Sequence, residues 1–305
     1  MTEVYHSGER EIQNRIGEVP IADRNGAVIT DTIIRGAINF IEKQPMAIVS
    51  SVDKEQNVWA SILIGEHGFV EVPDANSISI DTDKVYSNKE DIFYNNLSNN
   101  SPIGTLFIEL VTRRRFRING TTSLENNKIR VSILEAYPNC PKYIQQRVIH
   151  NPDTFENVVS MMQEGDYLRN DIKDWISSSD TFFLGSQSND GRMDASHRGG
   201  NKGFVEIVDN NTIKIPDYPG NSLYNTLGNI VQNGKSGLLF IDFINKKTLQ
   251  LTGQSELMFD QTSESDLEKT GGTGRFWTFK TSRWIITENQ HHVNWEFTSY
   301  SPFNP

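Results

Sequence analysis

Residues 47–80 read AIVSSVDKEQNVWASILIGEHGFVEVPDANSISI, and residues 182–215 read FFLGSQSNDGRMDASHRGGNKGFVEIVDNNTIKI. The two stretches align without a gap. Ala60, Ser61 and Gly65 fall on Ala195, Ser196 and Gly200, and Gly68-Phe69-Val70-Glu71 falls on Gly203-Phe204-Val205-Glu206. Asp74, Asn76, Ile78 and Ile80 fall on Asp209, Asn211, Ile213 and Ile215. After a small length change the match resumes: Asn95, Leu97 and Asn99 with Asn225, Leu227 and Asn229, then Gly104, Leu106, Phe107 and Ile108 with Gly237, Leu239, Phe240 and Ile241, and finally Gly120 and Leu124 with Gly253 and Leu257. Identities kept in one order over this span mark a duplicated structural unit.

Each unit reads as a small β-barrel. In the second, β-rich runs at 181–187, 192–198, 203–208, 212–216, 237–243 and 248–257 predict strands, with Asn189-Asp190-Gly191 and Asp209-Asn210-Asn211 as hairpin turns. Leu223, Leu227, Ile230 and Val231 recur at helical spacing and predict one helix between them. Short antiparallel strands around a single helix suit a barrel. Later runs at 275–284 and 292–300 read as strands, with Gly271-Gly272-Thr273-Gly274 as the loop before them. The expected fold is mainly β: two tandem split barrels joined by helices. The expected organisation is an N-terminal arm and helix at 1–44, a first barrel at 45–138, a helical connector at 139–179, and a second barrel with the ligand site at 180–305. Ile34, Ile38 and Ile41 give a helix at about 29–43 its apolar face; Leu168, Ile172, Trp175 and Ile176 do the same in the connector.

The chain has 305 residues and a net charge of −10. Such length is enough for two real cores. The acidic balance repels phosphate backbones and anionic lipid heads, so neither nucleic acid nor membrane is the expected partner. The one cysteine, Cys140, cannot form an internal disulfide. No apolar run is long enough to span a bilayer, and the N-terminal residues lack an apolar signal core, so the expected location is cytoplasmic.

The two units differ where chemistry would sit. Ala60-Ser61-Ile62-Leu63-Ile64-Gly65 becomes Ala195-Ser196-His197-Arg198-Gly199-Gly200, so two apolar residues at one strand end give way to a histidine and an arginine. Arginine offers a planar donor fork that suits phosphate oxygens. In the second unit Pro216-Asp217-Tyr218-Pro219-Gly220-Asn221-Ser222 leads into the helix, predicting its N-terminus near 221–222, a position favourable to anions. The first unit has Asp81-Thr82-Asp83-Lys84 there. His6, Glu9 and Gln13 share a helix face and read as surface or interface residues. Arg113-Arg114-Arg115 reads as a solvated hairpin turn, and Cys140 as an inert thiol. His291 and His292 are adjacent, so they point to opposite faces of a strand and do not chelate one metal. There is no phosphate loop, nucleophile elbow or metal-ligand spacing.

Residues 196–257, with their basic strand, Tyr/Asn turn, helix, buried strand and Thr252-Gly253 strand, resemble the pyridoxamine 5'-phosphate oxidase-like, FMN-binding split-barrel proteins. Tyr5-His6-Ser7-Gly8-Glu9, Asn139-Cys140-Pro141-Lys142-Tyr143-Ile144 and Tyr300-Ser301-Pro302-Phe303-Asn304-Pro305 resemble its two-barrel subgroup. The resemblance implies FMN in the cleft between paired barrels, with FAD or haem as alternatives. It implies phosphate contacts at Ser196, His197 and Arg198, and at the helix start around Ser222. It implies ribityl or ring contacts from Tyr218, Asn221, Asn225, Thr226 and Gln250, with Asn139 reaching across from the first unit. Asn225-Thr226 stands where the oxidase has an Arg-Lys pair, which argues against a vitamin B6 phosphate as substrate. The expected activity is that of a flavin-dependent oxidoreductase acting on a small molecule, with an electron donor such as NAD(P)H and no catalytic acid or base named; the alternatives are a non-catalytic flavin carrier or sensor and a haem-binding barrel. A monomer with an internal pseudo-dimer and a homodimer are both compatible.

Overall fold

Three helices precede the first strand: α1 (Ser7–Ile16), α2 (Val19–Gly26) and α3 (Arg35–Glu42). The computed structural model describes residues 4–98, 100–150, 160–290 and 293–305. α3 is shorter than expected and turns Ala37, Phe40 and Ile41 inward, while Ile34 is exposed. The chain ahead of it is drawn into a β-bridge between Thr30 and Ala136, which competes with helix there.

The first sheet contains β1 (Met46–Val52), β2 (Val58–Ile64), β3 (Val70–Asp74) and β4 (Ser77–Asp81), then the short α4 (Ile92–Asn96), then β5 (Pro102–Glu109), β6 (Arg114–Glu125) and β7 (Lys128–Asn139). Its strand order is β2-β1-β5-β6-β7-β4-β3. The connecting segment carries β8 (Gln146–His150), β9 (Met161–Gly165) and α5 (Asn170–Ser178). The second sheet contains β10 (Thr181–Gln187), β11 (Met193–Gly199), β12 (Glu206–Ile207), β13 (Thr212–Pro216), then α6 (Asn225–Asn233), then β14 (Lys235–Asp242), β15 (Lys247–Met258), α7 (Glu264–Lys269) and β16 (Phe276–Glu288). Its order is β11-β10-β14-β15-β16-β13-β12, which is the first order strand for strand. β17 (Asn294–Ser299) closes the described chain.

The duplication extends to register. Ile48 lies opposite Leu106 in the first sheet and Phe183 opposite Leu239 in the second, each pair at matching positions of the repeat. Both long hairpins break register at the same place, between Asn119 and Gly120 in β6 and between Thr252 and Gly253 in β15. A conserved bulge of this kind bends its strand, which a barrel wall needs.

Each barrel encloses its own core. Phe69, Phe93, Phe107 and Ile118 fill the first; Phe182, Phe240, Trp277 and Phe279 fill the second. A third cluster joins them, with Ile48, Ile62 and Leu106 from the first barrel against Phe183, Ala195 and Leu239 from the second. The barrels therefore pack through an apolar cluster built by the strands at one end of each sheet. The approach is close: a Cβ on Gly237 would lie 2.4 Å from the Val58 carbonyl oxygen, and one on the matching Gly104 would lie 2.7 Å from the Asp194 carbonyl carbon. Gly237→Ala is expected to push the barrels apart and cost about 1–3 kcal/mol, read as a lower urea midpoint with unchanged secondary structure.

The connector differs from the helical expectation. Among the described residues of the connector only α5 is helical, with Ile172 and Ile176 buried as its spacing required. β9 pairs with β16, and β8 pairs with β17. The side chains of β9 are largely exposed, so its conformation comes from backbone pairing with a sheet rather than from its own pattern. His291 and His292 lie outside the described residues. No helix among the described residues is long and apolar enough to cross a membrane.

Candidate functional site

β11 is the edge strand of its sheet, and its last residues open onto a cleft between the two barrels. The cleft has a volume of about 110 Å³. Ser196, His197, Arg198, Tyr218, Asn221, Ser222, Asn225, Thr226 and Asn139 all line it. The first barrel supplies more than Asn139: Arg115, Arg117, Cys140, Lys142 and Tyr143 complete the wall. These were not anticipated as site residues. Arg115 is the second residue of β6 rather than part of a solvated turn, and its Nε donates to the Cys140 carbonyl at 2.6 Å. Cys140 stands on the cleft wall.

Arg117 is the structural centre of the cleft floor. Its Nε donates to the Ala195 carbonyl at 3.0 Å, and its guanidinium reaches the Tyr137 hydroxyl at 2.8 Å, Asn225 Oδ1 at 3.1 Å and Ser196 Oγ at 2.5 Å. It also pairs with Asp194 at 2.8 Å, both side chains being buried. Burial opposes its charge, but Asp194, Tyr137 and Glu135 together more than offset that and hold the guanidinium above its ordinary range.

Arg115 and Arg198 are different. Neither has a carboxylate within ion-pair distance among the described residues; Arg198 donates only to the His197 carbonyl at 3.1 Å. Burial first, then Arg117 and Arg198, pull Arg115 down to about 9, so it is still a cation at neutral pH. Burial likewise lowers Arg198. Two crowded guanidiniums and Lys142 in a chain of net charge −10 form a local cationic site for an anion.

Other polar groups face the cleft without a partner. Both ring nitrogens of His197 are buried and unbonded, as is Asn139 Nδ2. Burying a donor or acceptor unpaired costs about 1–3 kcal/mol, so such groups in a cavity point to a bound molecule. Burial, then Arg115 and Arg198, push His197 well below the ordinary histidine range, so it is a neutral imidazole. Its ring signals in NMR are expected not to titrate near pH 6.5, where a free imidazole does. Because the unfolded chain takes up a proton that the folded chain refuses, this group makes stability fall as pH drops below about 6.5; a titrating shift near that pH would contradict the assignment.

The helix entry is later than expected. α6 starts at Asn225, not near 221–222, because Ser222 and Tyr224 adopt left-handed backbone, φ +62° and +63°. No side chain caps its first turn, so its free N–H groups add to the anion-favouring wall. Tyr143 and Tyr218 stand together at the mouth, ring centroids 4.8 Å apart, and Tyr143 donates to the Pro219 carbonyl at 2.9 Å. Asp217, on the same wall, is tied to Arg275 at 2.9 Å and also favours the charge of Arg198 from beyond ion-pair distance.

Gln250 is the exception among the expected residues. It is fully buried on the opposite side of the barrel–barrel joint, donating to the Ala60 carbonyl at 3.0 Å and Ser61 Oγ at 2.8 Å. These are the repeat partners of Ala195 and Ser196, so Gln250 is the twin of Arg117 in a pseudo-symmetric second position. There Ile62 and Leu63 replace His197 and Arg198 and are buried in apolar contacts. Asp91 fills the centre, accepting from Ser61 Oγ at 2.6 Å, the Phe93 amide at 2.9 Å and Gln290 Nε2 at 3.3 Å. The twin position thus carries Gln250, Ile62 and Leu63 where the cleft carries Arg117, His197 and Arg198, and it lacks the cleft's arginines.

His6, Glu9 and Gln13 are buried on α1, against α6, rather than on the surface.

No protein-family model and no curated protein matches the chain. Solved structures do. The HupZ protein of Group A Streptococcus is 17% identical, the match covering 42% of this chain and 98% of that one, with a TM-score of 0.33. A Clostridium acetobutylicum protein related to general stress protein 26 of B. subtilis, of the pyridoxinephosphate oxidase family, is 12% identical over 40% of this chain and 89% of its own, TM-score 0.29. HutZ, the heme storage protein of Vibrio cholerae, is 14% identical over 45% of this chain and 99% of its own, TM-score 0.27. These are matches to pyridoxamine 5'-phosphate oxidase-like split-barrel proteins over roughly two fifths of this chain each. At these identities the residue roles rest on the geometry above.

Proposed function

We propose that the cleft between the barrels binds FMN and that the chain is a flavin-dependent oxidoreductase acting on a small molecule. The observation that carries this reading is the pair of guanidiniums, Arg115 from the first barrel and Arg198 from the second, facing one cleft without a carboxylate partner. With Lys142 and the uncapped start of α6 they fit a terminal phosphate. His197, neutral and unbonded, has one donor and one acceptor for the polar edge of a heteroaromatic ring, and Asn139 Nδ2 has a free donor. Tyr143, Tyr218 and Tyr224 add flat apolar faces on the same wall.

FMN, when bound, supplies hydride or electron transfer; the protein's part is to hold and orient it and to shape the space beside it. No cleft side chain is arranged as a catalytic acid or base: Asp217 is engaged by Arg275, and His197 stays neutral. An electron donor such as NAD(P)H fits an otherwise acid–base-poor site. The test is the absorbance spectrum of the protein as purified, with mass identification of whatever is released on denaturation. A flavin spectrum and released FMN support the reading; reduction by NAD(P)H with transfer to an acceptor separates an enzyme from a carrier.

One observation favours a second reading. A buried histidine with both nitrogens free is a competent haem ligand. A Soret band lost in His197→Ala would establish haem, whereas a flavin spectrum would exclude it as the resident group.

A further inference from the structure

The cleft wall at 221–225 has little of its own to fix it. Ser222 and Tyr224 are non-glycine residues in left-handed backbone, a conformation that persists only when its surroundings enforce it. The first turn of α6 lacks a side-chain cap. Beside the Arg117 bond to Asn225 Oδ1, four bonds to this wall come from the other end of the chain. Asn25 Nδ2 donates to the Asn221 carbonyl at 2.8 Å, and Gln13 Nε2 donates to the Leu223 carbonyl at 3.2 Å. The Tyr224 hydroxyl donates to Glu18 at 2.6 Å, and Asn225 Nδ2 donates to Glu9 Oε1 at 2.5 Å. Four arm residues thus grip four positions of a five-residue stretch, each of which except Leu223 lines the cleft.

The grip depends on close helix packing. A Cβ on Gly8 would lie 2.2 Å from the Gly228 carbonyl oxygen, and one on Gly228 would lie 2.6 Å from the Glu9 amide nitrogen. α1 and α6 therefore touch backbone to backbone, a contact that only glycine permits on both sides. Glu9 is buried there, and its second oxygen accepts from the His6 amide at 2.9 Å, closing the capping box that starts α1.

We infer that the N-terminal arm is a positioning element for the ligand cleft, in which α1 and α2 clamp residues 221–225 into the shape that lines it and Glu9 is the positioning residue that fixes Asn225 at the start of α6. The link to ligand affinity rests on the cleft being the FMN site; the clamp itself does not. Groups facing Glu9 are Glu135 on β7, Asp194 on β11 and Arg192 beside it, along with His6 on its own helix. Burial, then Glu135, raises the Glu9 carboxyl to about 8, so the docked arm holds it mainly protonated at neutral pH.

The test is hydrogen–deuterium exchange on the full chain carrying Gly8→Val, with FMN titration by flavin fluorescence alongside. Peptides covering 221–233 are expected to lose protection while β1, β5, β10 and β14 keep theirs, and FMN affinity is expected to fall by about tenfold or more as the binding-competent fraction drops. Loss of protection in α1 and α2 with 221–233 unchanged overturns the inference. Should Gly8→Val unfold the whole chain, Glu9→Ala against Glu9→Gln decides: glutamine keeps an acceptor for Asn225 and is expected to retain protection at 221–233, whereas alanine is expected to lose it. Equal behaviour of the two overturns the positioning role of Glu9. If the unaltered chain does not bind FMN at all, the flavin reading fails while the exchange pattern still decides the clamp.

Discussion

Arg198→Ala is expected to weaken FMN binding by about 10- to 150-fold, the equivalent of about 1.5–3 kcal/mol for a hydrogen bond to a charged group, without weakening the fold. Arg115→Ala is expected to do the same from the other barrel, and the double variant to bring binding below detection. The stability half of the prediction separates a ligand site from a structural ion pair. Arg117 has Asp194; Arg115 and Arg198 have no carboxylate partner and crowd one another. Removing either relieves the cost of burying a cation, and Arg115 is also repelled by Arg117 and Arg198, so the ligand-free protein is expected to melt no lower than the unaltered one. Residues kept at a cost to stability are typical of a functional site. A clear drop in the ligand-free melting temperature would mean that these arginines serve the fold.

Arg117→Gln is expected to have the opposite profile. It copies the residue present at the twin position, Gln250, and has room to keep the bonds to Ala195 and Ser196 that Gln250 makes to Ala60 and Ser61. Asp194 is then left buried without its cation. Breaking one side of a buried pair costs about 3–5 kcal/mol, which for a chain of this size corresponds to a melting temperature lower by roughly 6–20 °C. Adding Asp194→Asn is expected to recover most of the loss, because the orphaned charge rather than the missing bond carries the penalty. Differential scanning calorimetry of the two variants checks this; a double variant as unstable as the single one would contradict it.

The duplicated fold was legible because its evidence is local and ordered. Turn residues, β-rich runs and one helical stripe recur in the same sequence in both halves, and strands such as β10 and β13 fall where their patterns place them. The substitution of Ile62-Leu63 by His197-Arg198 likewise located the cleft. What stayed hidden depends on contacts between distant parts of the chain. Arg115 and Arg117 come to the site from β6, Arg117 some eighty residues away from its partners on β11, and the run Arg113-Arg114-Arg115 has the composition of an exposed turn. Gln250 belongs to the same barrel as His197 but serves the twin position, since each cleft pairs β11 or β2 with the long strand of the other barrel. The repeat itself carries the signal that would have corrected this: the residue matching Gln250 in the first unit is Arg117. β8 and β9 were invisible because pairing with β17 and β16, not side-chain pattern, makes them strands. The late start of α6 follows from left-handed residues held by the N-terminal arm.

The central claim is that a tandem pair of barrels has one cationic cleft, whose arginines the twin position lacks. Isothermal titration of FMN into ligand-stripped protein tests it most directly. One equivalent of FMN per chain is predicted, abolished in Arg115→Ala/Arg198→Ala and preserved in Gln250→Ala. Two equivalents per chain, or undiminished binding without Arg115 and Arg198, would contradict it.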